Sequence, residues 1–117
     1  MKKIKLYYET EISCAHKLKL PYESKCTNFH GHNYKIEIVI KGIETNLNKE
    51  AMLIDFTKLK SITHKYDHKT LNDYIEQPTA ENLAKVLVDD IKSDLDKDII
   101  VSVKVWEDSG SYAEVTE

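Results

Sequence analysis

The stretch Lys3-Ile4-Lys5-Leu6-Tyr7-Tyr8-Glu9-Thr10-Glu11-Ile12-Ser13-Cys14-Ala15-His16 decides the fold class. Its even positions run Ile4, Leu6, Tyr8, Thr10, Ile12, Cys14 and His16, whereas the odd ones run Lys3, Lys5, Tyr7, Glu9, Glu11 and Ser13. Strand side chains alternate between faces, so a period of two held over a dozen residues predicts a long, half-buried strand. A polar loop with Pro21 and Asn28 follows. A second alternation then sets His30, His32, Tyr34, Ile36, Ile38 and Ile40 against Asn33, Lys35, Glu37 and Lys41, with Val39 the exception and an end near Gly42.

The middle of the chain changes period. Asp55 is placed to cap a helix whose apolar positions are Phe56, Leu59, Ile62 or Thr63, and Tyr66. Gln77-Pro78-Thr79-Ala80-Glu81 opens a second helix. Thr79 is its N-cap, Glu81 lies in the first turn where the helix dipole favours a carboxylate, and Leu83, Leu87, Ile91 and Leu95 form the apolar stripe. The end returns to strand: Val101, Val103 and Val105 alternate with polar or aromatic residues, Asp108-Ser109-Gly110-Ser111 is a turn, and Tyr112 to Thr116 pairs back. Strands separated by a block of helices predict a single α+β domain over residues 1–117, with an antiparallel four-stranded sheet made of two hairpins.

Composition narrows the function classes. The 117 residues are 41% hydrophobic and 32% charged, with net charge −3, values of a folded domain and not of a disordered chain. No run approaches the ~20 apolar residues of a spanning helix, so no membrane partner is expected. Residues 1–60 carry a net +4 and residues 61–117 a net −7. Without a concentrated basic stripe, nucleic acid is excluded as the expected partner. All 17 basic residues are Lys; no Arg fork is present to grip phosphate bidentately. Lys5, Glu9 and Glu11 interrupt any apolar export segment behind Met1-Lys2-Lys3, which predicts a cytoplasmic protein. A chain this small buries only roughly 60–70% of its unfolded surface, so association with copies of itself is expected.

His30-Gly31-His32 is the most informative tripeptide. On a strand, residues i and i+2 project to the same face, and His16 joins them if the two long strands pair as a hairpin. Three converging imidazoles are a common zinc arrangement that leaves a fourth position open. Cys26 is either a fourth ligand that closes such a site or a thiolate beside an open metal that accepts a proton; spacing leaves both open. Cys14, on the inward face, reads as a small core residue. Asp67-His68 has the composition of a proton relay, although adjacent acid and imidazole also occur together on ordinary surfaces. His64 lies four residues before His68 but is followed by Lys65, not the Glu of a metalloprotease, and is expected to face solvent. Glu107 continues the Val101, Val103, Val105 face: it is either a solvated strand end or an acceptor for the paired N–H groups of an amidine-like ligand edge.

Taken in order, Ser13-Cys14-Ala15-His16, Cys26-x3-His30-Gly31-His32-Asn33-Tyr34, Ile54-Asp55-Phe56-x2-Leu59-Lys60, Tyr66-Asp67-His68-x2-Leu71-Asn72, Pro78-Thr79-Ala80-Glu81-Asn82-Leu83-Ala84 and Val105-Trp106-Glu107 resemble the 6-pyruvoyl-tetrahydropterin synthase family. The resemblance covers nearly the whole chain. It implies the tunnelling fold (T-fold), with two helices on one face of the sheet and copies joined edge to edge into an oligomeric barrel, a trimer or a hexamer with active sites at subunit interfaces. It also implies roles. His16, His30 and His32 match zinc ligands, Cys26 the catalytic thiol, and Asp67 with His68 the pair that works with it. Glu107 matches the anchor of the pterin edge, with Thr79 and Glu81 in the segment lining the same pocket.

The three-residue interval between Cys26 and His30 resembles the 6-carboxytetrahydropterin synthases of the queuosine (7-deazaguanine) pathway. Their implied reaction takes dihydroneopterin triphosphate to 6-carboxytetrahydropterin, acetaldehyde and triphosphate. A pyruvoyl-forming synthase and a dihydroneopterin aldolase are the related alternatives, and a non-enzymatic structural zinc module the third. Two departures stand out: Lys17 occupies a position where the family commonly has Arg, and Asp108 one where it usually has Thr.

Overall fold

The computed structural model describes all residues, Met1–Glu117. β1 (Lys3–His16) and β2 (His30–Ile43) form one long antiparallel hairpin, paired without interruption from Lys3↔Ile43 to His16↔His30. α1 (Phe56–His64), the two-residue strand β3 (Lys69–Thr70) and α2 (Ala80–Lys92) follow, and β4 (Ile100–Asp108) with β5 (Ser111–Thr116) closes the chain. Strand order is β3-β1-β2-β4-β5. The sheet therefore has five strands and not the four expected: Lys69–Thr70 pairs in parallel with Cys14 and Ala15. His68 N–H donates to Ser13 C=O at 2.7 Å as the chain turns back along the β1 edge. Two residues are too few to show a period.

The inward face is the one the alternation marks. Ile12, Cys14, Tyr34, Ile36, Ile38 and Ile40 are buried against Val101, Val103 and Val105 and against the helices. α2 contributes Leu83, Ala84, Leu87, Val88 and Ile91 to that core, and Leu95 lies past its end, partly buried. Both N-caps are in place: Asp55 accepts from Thr57 N–H and Thr79 from Asn82 N–H. On α1 the buried positions are Leu59 and Thr63, while Phe56 is exposed and Tyr66 is buried beyond the helix end. Thr63 tolerates the core because its hydroxyl donates to Leu59 C=O.

Helices cover one sheet face only, as the resemblance implies. The other face carries a polar network: Tyr7 donates to Glu9, Lys35 pairs with Glu9 and Glu37, and Trp106 Nε1 donates to Glu37. The register between β4 and β5 slips by one between Trp106 and Asp108, leaving Glu107 without an opposite residue. Such a bulge bends a strand and re-aims its side chains.

Leu87 sits at the centre of the helix–sheet contact and is fully buried. Leu87→Ala is expected to cost about 2–5 kcal/mol from the lost transfer energy plus the residual cavity. Urea unfolding should show it as a lower midpoint with an unchanged slope.

Candidate metal centre and active site

The hairpin register places His16 directly opposite His30, and His32 two positions further along the same face. Ring centroids lie 4.5 Å apart for His16 and His30, 4.9 Å for His30 and His32, and 5.1 Å for His16 and His32. Glu107 reaches this cluster from β4. Its Oε1 is 3.2 Å from His32 Nε2 and 3.5 Å from His16 Nε2. One ligand atom from each of His16, His30, His32 and Glu107 lies within 4.8 Å of all the others, a grouping able to hold a metal ion.

Backbone carbonyls decide which ring nitrogens carry protons. Pro78 C=O lies 2.7 Å from His16 Nδ1, and Asn28 C=O lies 2.7 Å from His30 Nδ1. A carbonyl only accepts, so both Nδ1 atoms donate and both Nε2 atoms of the neutral rings present bare lone pairs. Those two Nε2 atoms face each other at 2.9 Å. His32 Nε2 is buried with no hydrogen-bond partner, since its approach to Glu107 lacks hydrogen-bond geometry. Two bare lone pairs, the unpartnered His32 Nε2 and a carboxylate oxygen thus converge on one point, and a cation at that point satisfies every one of them. The residues fit a divalent metal held by the three imidazoles, with the Glu107 carboxylate within reach either as a fourth ligand or as an acceptor for a bound substrate. Burial holds the His16 imidazolium below the usual histidine range, against the opposing Pro78 carbonyl, and so favours the neutral, ligating form.

Cys26 lies on a single 3-10 turn, Lys25–Thr27, whose N-cap Ser24 accepts from Cys26 N–H. Leu18 N–H donates to Cys26 C=O at 2.7 Å, tying the loop back to the end of β1. The sulfur is partly exposed, is not disulfide-bonded and is absent from the converging donors; the fourth member is Glu107. Cys14 is buried in the core, donates to Tyr66 C=O, and has its thiol pushed up to about 12 by burial with Asp67 adding to it. It is the inert residue the alternation predicts.

Asp67 and His68 stand at the β1 edge. Asp67 Oδ1 accepts Ser13 N–H at 2.8 Å, and this bond, with smaller help from His68 and His64, holds the carboxyl below the usual range. His68 is largely exposed and has φ 58°, a left-handed conformation uncommon outside glycine. Strain of this kind persists where surrounding bonds enforce it, here the Ser13 C=O contact of His68 N–H. Neither residue belongs to the histidine cluster of its own chain. His64, expected to face solvent, is half-buried, with Nε2 2.8 Å from Thr10 Oγ1, because α1 ends against β1.

Thr79 Oγ1 is engaged as a helix cap, the role its position predicted. Glu81 and Glu107 line one small cleft with Ala80, Ser111, Tyr112 and Ala113. The carbonyls of Pro78 and Asn28 were not foreseeable from spacing. Tyr34, whose hydroxyl lies 3.3 Å from His16 Nδ1, was signalled by its place on the His30–His32 face. Lys17 holds its ammonium 4.7 Å above the Phe29 ring, a cation–π contact beside the ligand strands.

Comparison with known proteins bears on the family and the fold. A 6-carboxy-5,6,7,8-tetrahydropterin synthase of Bacillus subtilis is 33% identical over 117 aligned positions, covering 89% of this chain and 79% of that protein. A dihydroneopterin monophosphate aldolase of Pyrococcus furiosus is 28% identical, with 90% of each chain covered. The solved Caenorhabditis elegans 6-pyruvoyl tetrahydropterin synthase superposes with a TM-score of 0.73 at 23% identity, over 100% of this chain and 97% of that one. The family model for 6-pyruvoyl tetrahydropterin synthase matches residues 5–117. The chain is a member of the 6-pyruvoyl tetrahydropterin synthase family and a lyase-type enzyme of that family.

Proposed function

We propose that the chain is a zinc-dependent carbon–carbon lyase that converts 7,8-dihydroneopterin triphosphate to 6-carboxy-5,6,7,8-tetrahydropterin, acetaldehyde and triphosphate, with one water balancing the atoms. The supporting observation is the convergence of His16, His30 and His32 with Glu107 on one point, where the facing Nε2 atoms of His16 and His30 carry no proton; Cys26 is a free, partly exposed thiol. The name of the Bacillus relative supports the choice of reaction. Unpaired thiols suit a reducing cytoplasm, where the queuosine (7-deazaguanine) pathway would use the product.

His16, His30 and His32 would hold the zinc. When bound it supplies Lewis acidity to a side-chain hydroxyl or carbonyl oxygen, which acidifies the neighbouring carbon-bound proton. Cys26, on its short turn next to the ligand strands, takes the role of proton acceptor. Asp67 and His68 form a second proton-handling pair, with the carboxylate kept ionised by the Ser13 N–H. Glu107 accepts the paired N–H donors of the pterin edge and, with Glu81, shapes the cleft. Thr79 fixes the start of α2, which forms the cleft wall. With no Arg, Lys17, Lys19 and Lys25 of the Cys26 loop are the candidates for the triphosphate.

Association into a trimer or hexamer belongs to the same reading. Ser13 directs both its N–H and its C=O away from β2. By the alternation of an antiparallel ladder, the in-phase residues back to Lys5 present open edge groups to a second copy. In this reading His68, on that edge, would serve a neighbouring copy's site. A dihydroneopterin aldolase is the second reading, favoured by the Pyrococcus relative.

Zinc-loaded protein incubated with dihydroneopterin triphosphate should yield acetaldehyde and a product of the carboxytetrahydropterin mass. Glycolaldehyde would establish the aldolase instead, and a retained pyruvoyl side chain the third chemistry. Cys26→Ala should keep stoichiometric zinc while turnover falls at least about 100-fold; loss of metal together with folding would identify a structural zinc site. Glu107→Gln should retain zinc and raise KM, whereas loss of zinc would make Glu107 a ligand and not the substrate anchor.

A further inference from the structure

Two imidazoles, not one, face the Asp67 carboxylate. His68 Nε2 lies 3.7 Å from Oδ2, and His64 Nδ1 approaches the same oxygen from the last turn of α1 at 3.9 Å. The other carboxylate oxygen is held by Ser13 N–H. His64 is fixed at its far side as well, where Nε2 lies 2.8 Å from Thr10 Oγ1 on β1.

The Thr10 hydroxyl can either donate to His64 Nε2 or accept from it, and the Asp67 carboxylate decides between the two. If His64 carried its proton on Nε2 and donated to Thr10, a bare Nδ1 lone pair would face a carboxylate. If Thr10 donates its hydroxyl proton to Nε2, the Nδ1 proton points toward Asp67 instead. The second arrangement replaces a repulsion with an attraction. Both distances to Oδ2 exceed hydrogen-bond range, so neither ring has sole possession of that oxygen. Sequence offers no reason for such a design in a surface His.

We infer that His64 is a positioning residue for the Asp67–His68 pair: oriented by Thr10, it shares Asp67 Oδ2 with His68 and limits how firmly the carboxylate holds a proton on His68. This rests on the lyase reading, in which His68 must both take and release a proton. An imidazole paired exclusively with a carboxylate holds its proton more firmly, and a shared one exchanges it nearer neutral pH. The titratable groups acting on Asp67 are His68 and His64 themselves; from β1, the Cys14 thiol lies nearby and is neutral.

The test combines NMR titration of the His68 ring with steady-state kinetics on the zinc-loaded protein. In His64→Ala the His68 midpoint should rise by about half a pH unit or more. The acid limb of kcat should follow it, and kcat should fall about tenfold near neutrality with KM unchanged. His64→Asn, which keeps a donor near the Nδ1 position but cannot become charged, should restore most of kcat. Thr10→Val should act like His64→Ala in weaker form, and Thr10→Ser should match wild type. These two near-isosteric changes keep the test decisive if His64→Ala unfolds. An unchanged His68 midpoint in Thr10→Val and in any folded His64→Ala, or a His64→Asn that restores none of the lost kcat, overturns the inference. A wild-type protein that releases no acetaldehyde overturns the lyase reading, while the His68 titration still decides whether His64 shares the carboxylate.

Discussion

Every feature of the site depends on the uninterrupted register between β1 and β2. Because side chains alternate with a period of two, a slip of one residue would carry His16 to the outer face relative to His30 and would expose Ile36, Ile38 and Ile40 as well. The burial of those isoleucines therefore enforces the meeting of the imidazoles. Hydrophobic free energy, gained along most of the hairpin, holds together donors that repel one another at its tip. The carbonyls of Pro78 and Asn28 complete that arrangement by fixing the protons on the outer nitrogens.

Most of this architecture is readable in the sequence because its elements are long. Fourteen-residue strands and a thirteen-residue helix repeat their periods often enough to be unambiguous. What escaped was short or three-dimensional. β3 has two residues and follows a left-handed His68, so no pattern could show it. Thr63 is the fully buried position of α1 because it follows Leu59 by one turn on the same face, with its hydroxyl satisfied by the Leu59 carbonyl, while Ile62 packs at the margin of the core. Tyr66 kept the helical spacing and is buried, yet it lies outside the helix.

The site residues divide along the same line. The three histidines were legible because strand period and hairpin pairing bring them together. Glu107 lies on the face its alternation marks, but its approach to the imidazoles follows from the β2–β4 register, Lys35 opposite Trp106, which spacing alone does not give. Spacing left Cys26 open between ligand and thiol base, and its absence from the converging donors follows from how the Lys25–Thr27 turn is tied to Leu18. His64 keeps a third of its side chain exposed, but its contact with β1 is hidden from sequence because a helix end looks fully exposed until the strand packed against it is known. Its partner Thr10 lies fifty-four positions earlier.

The Ser13 peptide group has a consequence for distance. It carries Asp67 through its N–H and His68 through its C=O, and His16 lies three residues further along the same strand. At about 3.3 Å per residue, the backbone sets these two attachment points roughly 10 Å apart. No loop intervenes between them. β1 thus works as a ruler whose marks are peptide bonds, and loosening of residues 17–29 would alter access to the histidines without changing that interval.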